Sequence, residues 1–153
     1  KSPHLFTSQM ASKLMYIPAS FKVDDKILLK DFLIGSYINK DGQQVELDFH
    51  HSKTFVCQAI TKIYAGKDLW GSDNRAVDDG MFELIRTGGV FHLAMDQVGL
   101  KTSHNIDNAK EIHLQAKNNA IFQVDGEPFV ISGNTTIAIE RIGSYPMLFR
   151  NKH

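Results

Sequence analysis

The chain has 153 residues, with 17 Lys or Arg balanced by 17 Asp or Glu, so its formal net charge is zero. A neutral chain of this length suits one domain with a substantial core, and it lacks the basic field by which proteins hold nucleic acid. The single cysteine, Cys57, excludes an internal disulfide framework, and no apolar run is long enough to span a bilayer.

The opening, residues 2–16, reads as a helix or helical turn. Ser2-Pro3 supplies a cap followed by a first helical position, and Leu5, Met10, Leu14 and Met15 form an imperfect apolar stripe. Pro18 ends it. Asp24-Asp25 can cap a second short helix running through Lys30. From Phe32 to Tyr37 the pattern is strand-like, and Asn39-Lys40-Asp41-Gly42 is a hairpin connection in which Gly42 can take positive φ. Val45, Leu47 and Phe49 alternate with Glu46 and Asp48, as in a strand with one wet face. Thr54 to Tyr64 is a longer β-rich run. Residues 65–80 read as an irregular loop, 81–85 as a short apolar strand, and Gly88-Gly89 as a turn. The next segment, 90–100, reads as a strand opening that continues into a short helix. Ile112 and Leu114 alternate with Glu111, His113 and Gln115 in another strand, and Thr135 to Ile142 forms a last one. Seven or eight short strands with turns between them predict a mainly β domain, sandwich or barrel-like, with one or two short helices. No signal peptide is recognisable, so a reducing, cytoplasmic setting is expected. The chain starts at Lys1 rather than a methionine, as expected of a processed product or an excised piece of a longer protein.

The stretch Ile121 to Phe129 admits two readings. Taken as one extended segment, it places Phe122 and Val124 on one face and Gln123, Asp125 and Glu127 on the other. Two carboxylates would then share one space, where like charges raise one pKa and suit it to general-base work. Alternatively, Asp125-Gly126 between apolar-alternating runs is a hairpin turn, the commoner outcome for such a pair. Other chemistry is weakly signalled. His50 and His51 are adjacent, so in a strand they face opposite ways and do not chelate one ion with Cys57. Cys57 lies in an apolar run, the usual setting of an inert thiol. Gly66-Lys67 fails the phosphate-loop pattern, because Thr61 stands where its first glycine belongs. Asn134-Thr135-Thr136 matches a glycosylation acceptor without a secretory signal to support it. Asp78-Asp79-Gly80 reads as a turn acidic enough to attract a hard cation.

Several segments in order resemble one family. Tyr64-Ala65-Gly66-Lys67-Asp68-Leu69-Trp70-Gly71 is similar to the Leu-Trp-Gly loop of diacylglycerol kinases, and Val77-Asp78-Asp79-Gly80-Met81-Phe82-Glu83-Leu84 to their Asp-Asp-Gly segment. Phe91-His92-Leu93-Ala94 with Gln97 and Gly99-Leu100 resembles the next block. Gln123-Val124-Asp125-Gly126-Glu127-Pro128 resembles the family's most recognisable run, and Pro146-Met147-Leu148 its closing one. His4-Leu5-Phe6 with Lys13-Leu14-Met15-Tyr16 resembles an early segment. Phe129 replaces a usual tryptophan, and Ala11-Ser12 stands where an asparagine is expected. The resemblance is to the accessory domain, the second half of a two-domain lipid kinase, across residues 1–153.

The resemblance implies phosphoryl transfer from ATP to the primary hydroxyl of diacylglycerol, giving phosphatidic acid at a membrane surface. The glycine-rich nucleotide motif is absent from this chain, so ATP and magnesium are expected mainly through a separate nucleotide-binding domain, the expected partner. Without that domain the fragment is expected to be inactive, and in the full protein it is expected to be cytoplasmic and peripherally membrane-associated. By likeness to related bacterial lipid kinases, Glu127 is the candidate base and Asp125 its partner, orienting it or coordinating magnesium. The same relatives imply a structural cation at Asp79, with backbone oxygens of Ala76 and Met81. A non-catalytic lipid- or protein-binding module, with Phe122, Phe129 and Phe149 forming an apolar patch, is an alternative reading. So is a kinase for sphingosine or ceramide.

Overall fold

The computed structural model describes residues 28–59, 69–70, 79–89, 92, 95–96, 100, 103–125 and 127–143. After a 3-10 turn, Leu29–Asp31, the strands are β1 (Leu33–Asn39), β2 (Gln44–Glu46), β3 (Thr54–Gln58) and β4 (Phe82–Thr87). Then follow β5 (His104–Ala116), β6 (Ala120–Val124), β7 (Glu127–Ile131) and β8 (Thr136–Glu140). Six of them form one antiparallel sheet in the order β2-β1-β5-β4-β3, with β8 also paired to β5. β6 and β7 form a separate two-stranded sheet. The domain is therefore mainly β, as expected. Among the described residues the large sheet is open, because β2 and β3 lie at opposite ends of it and do not pair with each other.

β5, 13 residues long, is the hub. Its second half pairs β1 along one edge and β8 along the other, and its first half pairs β4. Two irregularities let one strand serve these neighbours. Against β1 the register runs Ile38↔Glu111 and then Asn39↔Ala109, leaving Lys110 as an extra residue. Against β4 it runs Leu84↔Asp107 and then Ile85↔Asn105, leaving Ile106 extra. A bulge flips the alternation of side chains. Accordingly Ala109 is buried, and beyond Lys110 the buried set becomes Ile112, Leu114 and Ala116.

The main core lies on one face of this sheet. Leu33 and Tyr37 of β1, Phe82 and Leu84 of β4 and the buried residues of β5 meet Leu47, Phe49 and Ile131 there. Between Leu33 and Tyr37, Gly35 leaves space for two leucines. A Cβ at Gly35 would lie 2.8 Å from Cδ2 of Leu114 and 2.8 Å from Cδ1 of Leu47. Ordinary carbon contacts are about 3.5–4.0 Å. Tyr37 donates its hydroxyl to Asp107 Oδ2 at 3.0 Å. Burial first, then this hydrogen bond and the charge of Asp107, push the Tyr37 phenol from 10.0 up to about 12.

The Asn39–Gly42 connection forms as expected. Gly42 has φ of 79°, and Asn39 Oδ1 accepts the backbone N–H of Asp41 (3.0 Å) and Gln43 (2.9 Å). The strand expected over 45–49 is shorter. Pairing stops at Glu46, yet Leu47 and Phe49 still enter the core, with Leu47 N–H donating to Gly35 C=O at 2.8 Å. β4 and β8 match their expected strands closely, and β5 starts well before the segment that signalled it. In the ambiguous 90–100 segment, the described residues His92, Met95 and Asp96 are helical. Of the short helix expected from Asp24 through Lys30, only the end is described: Leu28 is extended and a 3-10 turn begins at Leu29. The helix expected over 2–16, residues 24–27, the end of the 54–64 strand beyond 59, and the closing Pro146–Phe149 segment lie outside the described residues.

Candidate functional site: an acidic hairpin tip

β6 and β7 grow out of the connection between β5 and β8, and their base is firmly tied. Asn134 N–H donates to Ala116 C=O at 2.7 Å, and Ala116 N–H to Thr135 C=O at 2.9 Å. Gly133 N–H donates to Asn119 Oδ1 at 3.0 Å. Nearby, Lys117 N–H reaches Phe32 C=O at 2.7 Å, and Asn118 Nδ2 reaches Asp31 C=O at 3.2 Å. Ile131 is buried in the core. From that root, five-residue strands reach outward by about 15 Å at the usual strand rise.

The register is Ala120↔Ile131, Ile121↔Val130, Phe122↔Phe129, Gln123↔Pro128 and Val124↔Glu127. The chain therefore reverses between Val124 and Glu127, and Asp125 takes a φ of 48°. Aspartate tolerates this left-handed region better than most residues, which is why it opens two-residue hairpin turns. The hairpin reading of 121–129 is the one realised, and the extended reading is corrected by it. Reversal also moves Glu127. Opposed residues share a face, so Glu127 projects with Val124, Phe122 and Phe129 rather than with Gln123. The two phenyl rings stack across the ladder, their centroids 6.0 Å apart. Pro128, which cannot donate to a ladder, sits in a strand whose other edge is unpaired among the described residues, as its chemistry requires.

Asp125 and Glu127 are both exposed. So are Ile121 (80%), Val130 (71%), Val124 (60%) and Phe129 (42%). The hairpin is thus an apolar finger whose only charges are two carboxylates at its end.

The second expected site is the turn before β4. Asp79 Oδ1 accepts Met81 N–H at 2.9 Å, and Gly80 between them has φ of 81°. That bond orients the Asp79 carboxylate over its own turn and leaves Oδ2 for another donor or a cation. Ala76 lies outside the described residues. Among the described residues, no three His, Cys, Asp or Glu side chains cluster as a metal group. His50 is engaged locally, with Nε2 2.6 Å from Asp48 Oδ2. Cys57 packs against the core, and burial, with a smaller contribution from the charge of Glu83, pushes its thiol from 9.0 up to about 12. An inert thiol is what that implies.

Sequence reasoning did not find what holds the Leu69-Trp70 segment. Ser103 Oγ donates to Leu69 C=O at 3.2 Å, and Asn105 Nδ2 donates to Trp70 C=O at 2.9 Å. Ser103 and Leu69 are buried. These ties run from side chains to main-chain carbonyls, which leave no residue pattern in the loop itself. Among the described residues, no helix is long and apolar enough to cross a membrane.

Comparison with known proteins converges on one family. The diacylglycerol kinase accessory domain matches residues 1–128, a span that includes Asp79, Asp125 and Glu127. Diacylglycerol kinase theta of Mus musculus is 29% identical over 138 residues, covering 85% of this chain and 14% of that protein. Diacylglycerol kinase theta of Homo sapiens is 28% identical over 137 residues, with 85% and 14% covered. Diacylglycerol kinase 2 of Arabidopsis thaliana is 26% identical over 138 residues, covering 85% of this chain and 19% of its own length. No solved structure matches. The chain spans less than a fifth of these relatives. The family match extends over most of the chain and includes the Asp-Gly-Glu tip and the turn at Asp79, and the chain belongs to the diacylglycerol kinase accessory domain family.

Proposed function

We propose that this domain supplies the acid–base half of a diacylglycerol kinase, working with a nucleotide-binding domain that holds ATP and magnesium. The observation that carries this reading is the position of Glu127, a carboxylate on the same hairpin face as Val124, Phe122 and Phe129. A lone carboxylate on an apolar face fits an amphipathic alcohol: the hydroxyl meets the carboxylate while acyl chains lie along the apolar side chains. Glu127 takes the proton of the primary hydroxyl as its oxygen forms a bond to the γ-phosphorus of ATP. The bond from that phosphorus to the bridging oxygen breaks, ADP leaves, and phosphatidic acid is the product. Such transfer depends on positioning and on cations that neutralise phosphate charge. Asp125, next to the base at the reversal, orients it or draws magnesium toward the tip. Asp79 Oδ2 and the Met81 carbonyl, with Ala76, are the groups that would hold a structural cation and stiffen the entry to β4. Cytoplasmic location with peripheral attachment to membrane is part of the same reading.

The test is Glu127→Gln in the full-length kinase. Turnover should fall by at least 100-fold, in the range typical of losing a positioned base, while the melting temperature stays unchanged because the side chain is exposed. Near-normal turnover of the folded variant would remove the assignment. The apolar exposure of the hairpin also supports a second reading, a lipid-binding module without chemistry. Vesicle binding by this chain that is strong and indifferent to Asp125→Asn with Glu127→Gln would favour it.

A further inference from the structure

The hairpin has a second face, which the proposed chemistry does not use. Ile121 and Val130 oppose each other on it and are the most exposed apolar side chains of the finger, at 80% and 71%. Gln123 and Pro128, the next pair on that face, carry no charge. The finger itself is acidic: residues 120–131 carry Asp125 and Glu127 and not one Lys, Arg or His, and the nearest cation along the chain, Lys117, is turned to the Lys30 carbonyl at the root. A bilayer with anionic lipid attracts basic segments and repels acidic ones. An acidic finger with apolar shoulders instead complements a protein cleft with an apolar rim and cations at its floor.

We propose that Ile121 and Val130 are a docking surface for such a cleft in the nucleotide-binding lobe of the same kinase, so that apolar burial at the shoulders seats the carboxylates at the tip. This rests on the two-lobe reading above and names the contact that assembles it. The root of the hairpin is hydrogen-bonded to the main sheet, so a finger held at its shoulders and at its root has its tip fixed between them.

Two double variants of the full-length kinase test this. Ile121→Thr with Val130→Thr keeps β-branched side chains at both positions and removes apolar contact. It should lower kcat/KM for diacylglycerol at least tenfold, with the melting temperature of this domain unchanged. Ile121→Lys with Val130→Lys should lower it further, because it sets unpaired charge against the apolar rim. Activity of the Thr pair within twofold of wild type would overturn the proposal. So would a Lys pair that gains activity or binding on vesicles of phosphatidylcholine and phosphatidylserine, since that outcome makes the bilayer the occupant. Loss of a concentration-dependent dimer in the Thr pair would overturn it as well, assigning the patch to a second copy. The base assignment is read separately. An inactive Glu127→Gln enzyme beside a fully active Thr pair keeps the chemistry and discards the docking, and the reverse result keeps the docking alone.

Discussion

Gly35→Ala isolates one packing demand of the fold. The new methyl would lie 2.8 Å from side-chain atoms of both Leu47 and Leu114, and 3.2 Å from the His113 carbonyl. Neither leucine has room to retreat, being 7% and 2% exposed within the core. The carbonyl belongs to a residue of the β1–β5 ladder. Overpacking of this kind costs about 1–3 kcal/mol. Replacing a strand glycine by alanine returns about 0.5–1 kcal/mol through the unfolded chain. The net loss should be about 0–2.5 kcal/mol and centred near 1 kcal/mol, which for a chain of this size lowers the melting temperature by about 2–4 °C at the centre of that range. Urea and thermal unfolding of the chain, followed by circular dichroism, measure it. Leu47→Ala alone should cost about 2–5 kcal/mol through its cavity. In the double variant the methyl enters part of that cavity, so the combined loss should fall short of the sum by about 1 kcal/mol or more. A Gly35→Ala domain more stable than wild type by about 0.5 kcal/mol or more, the gain expected with no clash at all, or strict additivity in the double variant, would refute the proposed clash.

Asn105→Ala should release the Leu69-Trp70 segment at a cost of about 0.5–1.5 kcal/mol, the value of one hydrogen bond. Trp70 is the only tryptophan, so acrylamide quenching of its fluorescence should increase while the sheet signal persists. The domain should lose stability as pH rises from about 9 toward 12. Cys57 and Tyr37 hold their protons up to about 12 when folded, against ordinary values of 9.0 and 10.0. In that window the unfolded chain has released protons that the folded chain retains, so ionisation favours unfolding, and the contribution is complete below about pH 9. Cys57→Ala with Tyr37→Phe should flatten the urea midpoint between pH 9 and 11, and an unchanged slope would refute the assignment. Asp125→Asn should leave the hairpin intact, since asparagine accepts a φ of 48°. Asp125→Val should cost about 1–2 kcal/mol in the left-handed region. Loss of kinase turnover in the Asn variant with unchanged melting would then measure the carboxylate rather than the turn.

Much of this architecture is legible where a strand pairs simply. The Asn39–Gly42 turn, the alternation in Thr136–Glu140 and the strand after Gly80 carry local signals that tertiary structure leaves intact. β5 does not. Its first half, His104–Glu111, is mostly polar and holds two extra residues, Ile106 and Lys110, so no single period runs through it. Only the regular stretch after the second bulge announces a strand. Leu47 and Phe49 show the opposite case: they alternate as a strand would, yet bury their side chains after pairing has ended, since apolar spacing reports burial and not the ladder. At the candidate site the Asp125-Gly126 turn signal is readable, and it is the competing extended reading that misplaces Glu127. Alternation along one strand predicts that Glu127 shares a face with Asp125 and Gln123, and this holds only if the chain keeps going. A turn of two residues restores register across strands instead, and places Glu127 opposite Val124.

That reversal bears on how the tip can do chemistry. A carboxylate standing in water is an ordinary weak base, and what changes it is loss of water with its charge retained. Along an extended strand, Asp125 and Glu127 would have perturbed each other by proximity alone. At the hairpin tip, the neighbours across and along the ladder from Glu127 are Val124 and Phe129, and the stacked ring of Phe122 lies behind them. These side chains cannot pair with the charge, and they strip water from it once a second surface closes over them. If Glu127 is the base proposed above, the hairpin would make its activation conditional: the rooted scaffold would hold the carboxylate in place, and only lipid and a partner lobe covering the apolar face would strip water from it. Adding a polar hydroxyl beside it, as in Val124→Thr, should then lower kcat of the full-length enzyme more than it raises KM for diacylglycerol, with the melting temperature unchanged. A Val124→Thr enzyme with a raised KM and an unchanged kcat would mean that the apolar face sets affinity alone.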